Sequence, residues 1–236
     1  MALFIVSAPS GSGKSTLVEE LVRRVPGLSF SVSYTTRAPR GSEVDGREYF
    51  FIDRPRFEAM AARGEFLEHA EVFGNCYGTT WAFLEQARRE GRDLVLDIDV
   101  QGARQVKARF PDAVSIFIAP PDRATLSQRL TGRGLDTPAV IEQRLQVASR
   151  EIAAYNSYDY VVINDRLEES AAQLCAIVRC QRGGGAGGAA GRECELAESC
   201  RQSRAGARLR PVLASFGLAP GPGTRGDCHD GTVYQH

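Results

Sequence analysis

Four short apolar runs, Leu3 to Ser7, Leu94 to Ile98, Val114 to Ala119 and Tyr160 to Ile163, alternate with longer amphipathic stretches. Continuous apolar runs of this length predict strands buried on both faces, the form that parallel strands take. After the first run, Leu17, Val18, Leu21, Val22 and Val25 recur at helical spacing until Pro26-Gly27 stops them. The order is strand, tight loop, amphipathic helix. Thr137-Pro138 supplies an N-cap and an N1 proline for another helix, with Ile141, Leu145, Ala148 and Ile152 on one face and Arg144 and Arg150 projecting elsewhere. Between the first two core strands lies a polar insert, about Ser33 to Arg92, rich in Arg, Glu, Tyr and Gly and containing a strand-like Glu48 to Ile52. The class is α/β with a parallel-sheet core, and inserts on such sheets commonly build substrate sites. There is no internal repeat at solenoid periods.

Composition divides the chain in two. Its 236 residues carry 29 basic and 29 acidic side chains. A zero balance argues against a duplex-coating nucleic-acid binder or a polybasic membrane binder, so an anionic ligand must meet a local cluster. Residues 183–236 hold 12 of the 24 glycines and three of the six cysteines, and lack Lys, Ile, Met and Asn. This Gly/Ala/Arg-rich tail is expected to be disordered and dispensable, either a flexible extension or a shifted reading frame. Residues 1–182 are expected to form the working domain. The N-terminus lacks a basic n-region, and no apolar stretch approaches the roughly 18 to 20 residues of a membrane helix. Before the tail, Cys76, Cys175 and Cys180 make an odd set, which suggests reduced thiols and a cytoplasmic location. Cys175, Cys180, Cys194 and Cys200 lack a standard zinc spacing.

The first loop carries chemistry. Ala8-Pro9-Ser10-Gly11-Ser12-Gly13-Lys14-Ser15-Thr16 follows a strand and opens a helix, the context of a phosphate-binding loop. Glycines let backbone amides converge on phosphate, and the helix N-terminus adds positive potential. Lys14 can reach the β and γ oxygens, and the Ser15 hydroxyl can ligate magnesium. Ala8 stands where a first glycine belongs, which is tolerable if its φ is negative. A glycine-rich turn with a chance lysine is the competing explanation, disfavoured by the strand before and the helix after. Leu94-Val95-Leu96-Asp97 ends a strand in a carboxylate placed to hold magnesium, in part through water. The insert adds Arg37, Arg40 and Arg47, with Tyr49 and Tyr77. Arginine forks bind phosphate bidentately, and tyrosine hydroxyls donate without altering the charge. For Arg47 a solvated charge is the simpler account.

Several motifs then occur in order: Ser31-Val-Ser-Tyr-Thr-Thr-Arg37-Ala-Pro-Arg40, Phe66-Leu-Glu68-His-Ala, Gly74-Asn-Cys-Tyr77-Gly-Thr79, Leu96-Asp97-Ile-Asp99-Val-Gln101-Gly102 and Gly132-Arg133-Gly134. With the phosphate loop, the set resembles guanylate kinase over about residues 2–182. The resemblance implies a P-loop nucleoside monophosphate kinase fold, with a parallel-sheet core, a GMP-binding insert at about 33–92 and a helical lid at about 121–150. It implies that ATP and GMP or dGMP are the substrates, that Mg2+ accompanies ATP, and that neither nucleic acid nor membrane is a partner. Residue by residue, it assigns GMP phosphate to Arg37, Arg40, Tyr49 and Tyr77, and guanine to Ser33, Glu68, Thr79 and Asp99. ATP falls to residues 8–16, Arg133 and Asn164, and catalysis to Lys14, Arg37, Arg133 and Arg144, with Arg129 as a further lid cation. Chemistry supports Glu68, since guanine N1–H and its exocyclic amine are adjacent donors that one carboxylate accepts, whereas adenine presents a lone pair there. Pro39-Arg40-Gly41-Ser42-Glu43 departs from the family's P-R-x-G-E, and Cys76 replaces a common tyrosine. His69 is assigned to packing. A non-catalytic scaffold module and a kinase for another acceptor remain as rivals.

Overall fold

The computed structural model describes residues 1–132, 137–183 and 189–219. In chain order, the first half comprises β1 (Leu3–Ser7), α1 (Lys14–Arg24), β2 (Leu28–Phe30), β3 (Tyr34–Thr35), β4 (Phe50–Phe51), α2 (Arg54–Ala62), β5 (Phe66–Val72), β6 (Asn75–Thr80) and α3 (Trp81–Arg89). There follow β7 (Asp93–Asp97), α4 (Val100–Arg109), β8 (Val114–Ala119), α5 (Arg123–Thr131), α6 (Pro138–Ala153), β9 (Tyr160–Ile163), α7 (Leu167–Gln181), α8 (Ala189–Ser199) and α9 (Gly206–Ser215).

The core is a five-stranded parallel sheet in the order β2-β7-β1-β8-β9. Its strands are the four apolar runs, with β7 shifted by one residue, plus a three-residue edge strand, β2, too short to show a pattern of its own. Alternation along β1 splits the core in two. Phe4 and Val6 join Leu17, Leu21 and Leu174 on one face of the sheet, while Leu3 and Ile5 join Leu126, Leu145 and Ile152 on the other. The register sets Val6 opposite Asp97, so β1 and β7 deliver the phosphate loop and the acidic strand end side by side.

The insert forms its own sheet, β4-β3-β6-β5, packed by Tyr34 on Phe50 at 4.8 Å and Phe57 on Phe66 at 4.5 Å between ring centroids. The expected strand Glu48 to Ile52 contracts to Phe50–Phe51, where the short β3 alone offers a partner. Helix α6 begins as its sequence predicts, with the Thr137 hydroxyl accepting from Val140 N. Arg144, however, is buried beside Leu145 and Ala148 instead of projecting away from the core.

The tail departs most from expectation. Residues 189–219 are folded and packed, not disordered: Ala197, Cys200, Leu209, Val212, Leu213 and Phe216 are buried in the two core clusters. Leu209, Val212, Leu213 and Phe216 follow the spacing of one helical face, but a single face of two turns, interrupted by Pro211, is a weak pattern among arginines and alanines. The segment between α8 and α9 covers the outer edge of the sheet, where Val161 N donates to Cys200 O at 2.8 Å and Gln202 N to Asp159 O at 3.0 Å. Helix α9 reaches α5 and α6, with Arg123 N donating to Ser215 Oγ at 3.1 Å and Ser149 Oγ to Phe216 O at 3.3 Å. Cys180 and Cys194 form a disulfide between α7 and α8. This corrects the expectation of reduced thiols throughout, because the partner of Cys180 lies in the tail that the odd count excluded. Residues 184–188 and 220–236, also within the tail, lie outside the described residues.

Each buried Leu, Val or Phe contributes about 1.5–3 kcal/mol, so α8 and α9 together approach the whole stability of a domain, about 5–15 kcal/mol. Truncation after Gly183 is therefore expected to lower the thermal midpoint by more than about 10 °C or to yield aggregated protein. Calorimetry of the two chains checks this, and midpoints within about 2 °C of each other would contradict it.

Candidate active site

The phosphate loop is shaped by what lies against it. Gly11 and Gly13 have φ of +91° and +85°, a region costly for residues with a side chain. A methyl at Gly11 would press on Leu126 and Leu130 of α5 at 3.0–3.1 Å, and one at Gly13 would overlap the Asn164 amide. Ala8 is buried without a positive φ, so its methyl is accommodated. Asn164 follows β9 and is buried, its Nδ2 donating to Ser12 O at 2.7 Å and its carbonyl accepting from Arg129 at 3.0 Å. It braces the loop from beneath. No side chain caps α1, so its N-terminal amides stay open to an anion. Ser15 and Thr16 are exposed on its first turn. Among the described residues, Ser12 Oγ and Arg129 Nη1 are buried polar atoms without a hydrogen-bond partner, and an anion in the loop would satisfy such donors.

Lys14 forms an ion pair with Asp97, and its Nζ donates to Ile98 O at 3.3 Å. Burial opposes the ammonium charge, but the Asp97 carboxylate more than offsets it and holds Lys14 above the usual lysine range. Two neighbours, the half-buried Glu151 and the buried Tyr158, escaped the sequence reading. Glu151 of α6 faces Lys14 and Asp99, and burial pushes its carboxyl up to about 7. Burial likewise pushes the Tyr158 phenol, near Ser7, up to about 12. Neither belongs to a motif, and Glu151 resembles one more helix-surface charge in the sequence.

The insert gathers its predicted residues into two groups. Arg37 is buried, donating to Glu43 at 2.9 Å and to Ala38 O at 2.7 Å, with its guanidinium 5.4 Å from the Tyr49 ring. Burial works against its charge, and bonding to Glu43 and Tyr77 restores and raises it. The Tyr49 and Tyr77 rings meet edge to face at 5.8 Å. Arg40 is exposed, and its backbone N donates to Glu43 Oε2 at 2.7 Å. Glu43 thus organises both arginines across the altered Gly41-Ser42 turn, where Gly41 takes φ +52°. Arg47 is exposed and paired with Glu48, as a solvated charge would be.

In the second group, Glu68 is 3% exposed, and its Oε1 accepts from Thr79 N at 2.9 Å. Ser33 Oγ and Thr79 Oγ1 lie 3.0 Å apart. Asp99 caps α4, accepting from Gly102 N at 2.8 Å and from Gln101 Nε2 at 3.1 Å. Burial is the main cause, with Asp99 adding repulsion, of a Glu68 carboxyl raised to about 7. His69 is exposed on β5, with its ring centroid 6.3 Å from that of Phe57 and 5.9 Å from that of Phe66, a contact at the surface instead of core packing. On α6, Arg144 donates to Ser10 Oγ at 3.4 Å, which brings that helix to the phosphate loop. Arg133 lies outside the described residues.

Gly102 leaves the room that Glu68 occupies, because an added methyl would overlap the Glu68 carboxylate. Overpacking of this kind costs about 1–3 kcal/mol. Gly102→Ala is expected to lower the thermal midpoint by several degrees and to displace Glu68, read by calorimetry and by loss of the Glu68 titration. A parental midpoint and titration would refute the crowding.

The family pattern described as guanylate kinase matches residues 1–181. A guanylate kinase of Koribacter versatilis is 53% identical over 227 residues, covering 93% of this chain and 97% of that protein, so its match continues into the tail. One from Thiobacillus denitrificans is 52% identical over 177 residues, covering 75% of this chain and 85% of that protein. Among solved structures, the crystal structure of guanylate kinase from Anaplasma phagocytophilum superposes with a TM-score of 0.63 at 36% identity, over 76% of this chain and 85% of that one. With a parallel sheet, a phosphate loop and a buried carboxylate already in place, these matches establish that the chain belongs to the guanylate kinase family.

Proposed function

We infer that this chain transfers the γ-phosphoryl group of ATP to GMP or dGMP, giving ADP and GDP or dGDP. The observation that carries this reading is the buried cluster of Glu68, Thr79 and Ser33, beside Asp99, which caps α4 and whose backbone carbonyl accepts from Ser7 Oγ at 3.5 Å where β1 leads into the phosphate loop. Ionised Glu68 accepts both guanine donors, with Thr79 and Ser33 beside it. Arg37, Arg40, Tyr49 and Tyr77 bind the acceptor phosphate, and Glu43 holds Arg37 ready. The acceptor is a phosphate oxygen, largely ionised at neutral pH, so the reaction needs no general base from the protein. Alignment and charge neutralisation supply the catalysis.

On the donor side, residues 8–16 wrap the ATP phosphates, Lys14 neutralises the β and γ oxygens, and Arg144, Arg133 and Arg129 come from the lid. Asn164 serves ATP by bracing the loop through Ser12 O. Ser15 and Asp97 fit Mg2+, being hard oxygen donors beside the loop, few enough to leave the ion its waters and phosphate oxygens. Mg2+ would draw charge from the transferring group. No helix among the described residues is long and apolar enough to cross a membrane. We place the reaction in purine nucleotide metabolism, as the ATP and GMP substrates imply.

Lys14→Ala is expected to lower kcat by at least about a hundredfold in a coupled GMP-dependent ADP-release assay while the chain stays folded. Near-parental turnover would sink the mechanism, and AMP, UMP or ribose bisphosphate outperforming GMP or dGMP would sink the acceptor assignment. The raised Glu68 sets a pH dependence. Protonation below about pH 7 puts a hydroxyl against guanine N1–H, so KM for GMP is expected to rise as pH falls, approaching tenfold per unit below about pH 6. Glu68→Gln should bind GMP weakly at every pH and show no such dependence between pH 6.5 and 8; a parental profile in that variant would assign the titration elsewhere.

A further inference from the structure

Strands β5 and β6 join through a two-residue turn, Phe73-Gly74, because Val72 pairs with Asn75. Both turn residues are left-handed, with φ of +50° and +74°. This form favours Asn-Gly and disfavours a bulky side chain at its first position. Phe73 is the one non-glycine residue with positive φ among the described residues, and it is 41% exposed. Neither backbone preference nor burial accounts for an aromatic residue there. Its ring centroid lies 5.7 Å from the guanidinium carbon of Arg144, which is buried on α6 and reaches Ser10 of the phosphate loop. Insert, lid and phosphate loop therefore meet at one guanidinium.

The turn is a fixed mount. Arg54 donates to Gly74 O at 2.8 Å and to Glu71 at 3.3 Å, Asn75 Nδ2 donates to Phe73 O at 3.2 Å, and Gln101 Nε2 donates to Glu71 O at 3.3 Å. An aromatic face attracts a guanidinium while adding no negative charge to compete with phosphate. A carboxylate at the same place would hold Arg144 more firmly and would also repel the ligand.

We propose that Phe73 is a positioning residue for Arg144, holding its guanidinium over the phosphate loop and tying the acceptor-binding insert to the lid. The backbone strain at Phe73 persists because an aromatic face is required at that point. This inference rests on the reading of Arg144 as a contact to the transferring phosphoryl group.

Three variants at the turn test it, through kcat, KM and thermal midpoint. Phe73→Asn suits the left-handed turn and is expected to raise the midpoint while lowering kcat roughly three- to tenfold, with KM for GMP within about twofold. Phe73→Leu keeps apolar bulk without a ring and should lose kcat to a similar degree. Phe73→Trp should retain at least about half of the parental kcat, since indole is the strongest cation–π partner. Parental kcat in the Asn or Leu variant, or failure of Trp to retain activity, would overturn the inference. A fall in kcat matched by a lowered midpoint in both Asn and Leu variants would mark a purely structural role and overturn it equally. Arg144→Ala separates the two levels: parental kcat there would remove the reading of Arg144 as well, whereas loss of kcat beside fully active Phe73 variants would remove the inference alone.

Discussion

Cations that are to meet phosphate have to stay charged although folding strips much of their water away, and most of the candidate site follows from that requirement. Burial alone would push the proton off Lys14 and weaken Arg37, yet each sits against a carboxylate, Asp97 or Glu43, that reverses the effect. The partner acids also spare the ligand-free protein an exposed field of like charge. Glu68 and Glu151 show the opposite outcome. No cation outweighs burial at either, and both carboxyls rise to about 7. The zero net charge of the chain is thus a sum of local pairings, not an absence of electrostatic design.

The parallel sheet converts those pairings into one site. Parallel strands all end at the same edge, so β1, β7 and β9 present the phosphate loop, Asp97 and Asn164 together although they are distant in sequence. Glycines then let the neighbours close in: Leu126 and Leu130 approach at Gly11, Asn164 at Gly13, and Glu68 at Gly102. A side chain at any of these positions would hold apart elements that the chemistry requires in contact.

Legibility in the sequence followed the strength of local signals. The apolar runs, the capped helix at Thr137 and the glycine-rich loop were readable because each is dictated by a few adjacent residues. Ser33, Glu68, Thr79 and Asp99 were placed by resemblance, and Thr79 and Ser33 do meet beside Glu68. Glu151 and Phe73 carried no signal of their own, since their significance lies in what tertiary folding sets against them, and Glu43 stood in a motif that did not reveal its pairing with Arg37. Asn164 was found, but its part in bracing the loop was not, because a side chain bound to the Ser12 carbonyl from 152 residues away leaves no local trace. The tail was misjudged for the converse reason: composition averaged over a glycine-rich stretch concealed the one apolar face of α9.

That tail has a further consequence for the order in which the protein is made. Residues 200–202 protect the outer edge of β9, yet they leave the ribosome only after α7 and α8. Until then the growing chain presents an open parallel edge beside unfilled apolar surface, the combination most prone to pairing with another chain. The catalytic half is thus complete in sequence well before it is protected. The period of greatest vulnerability falls between synthesis of β9 and docking of α9.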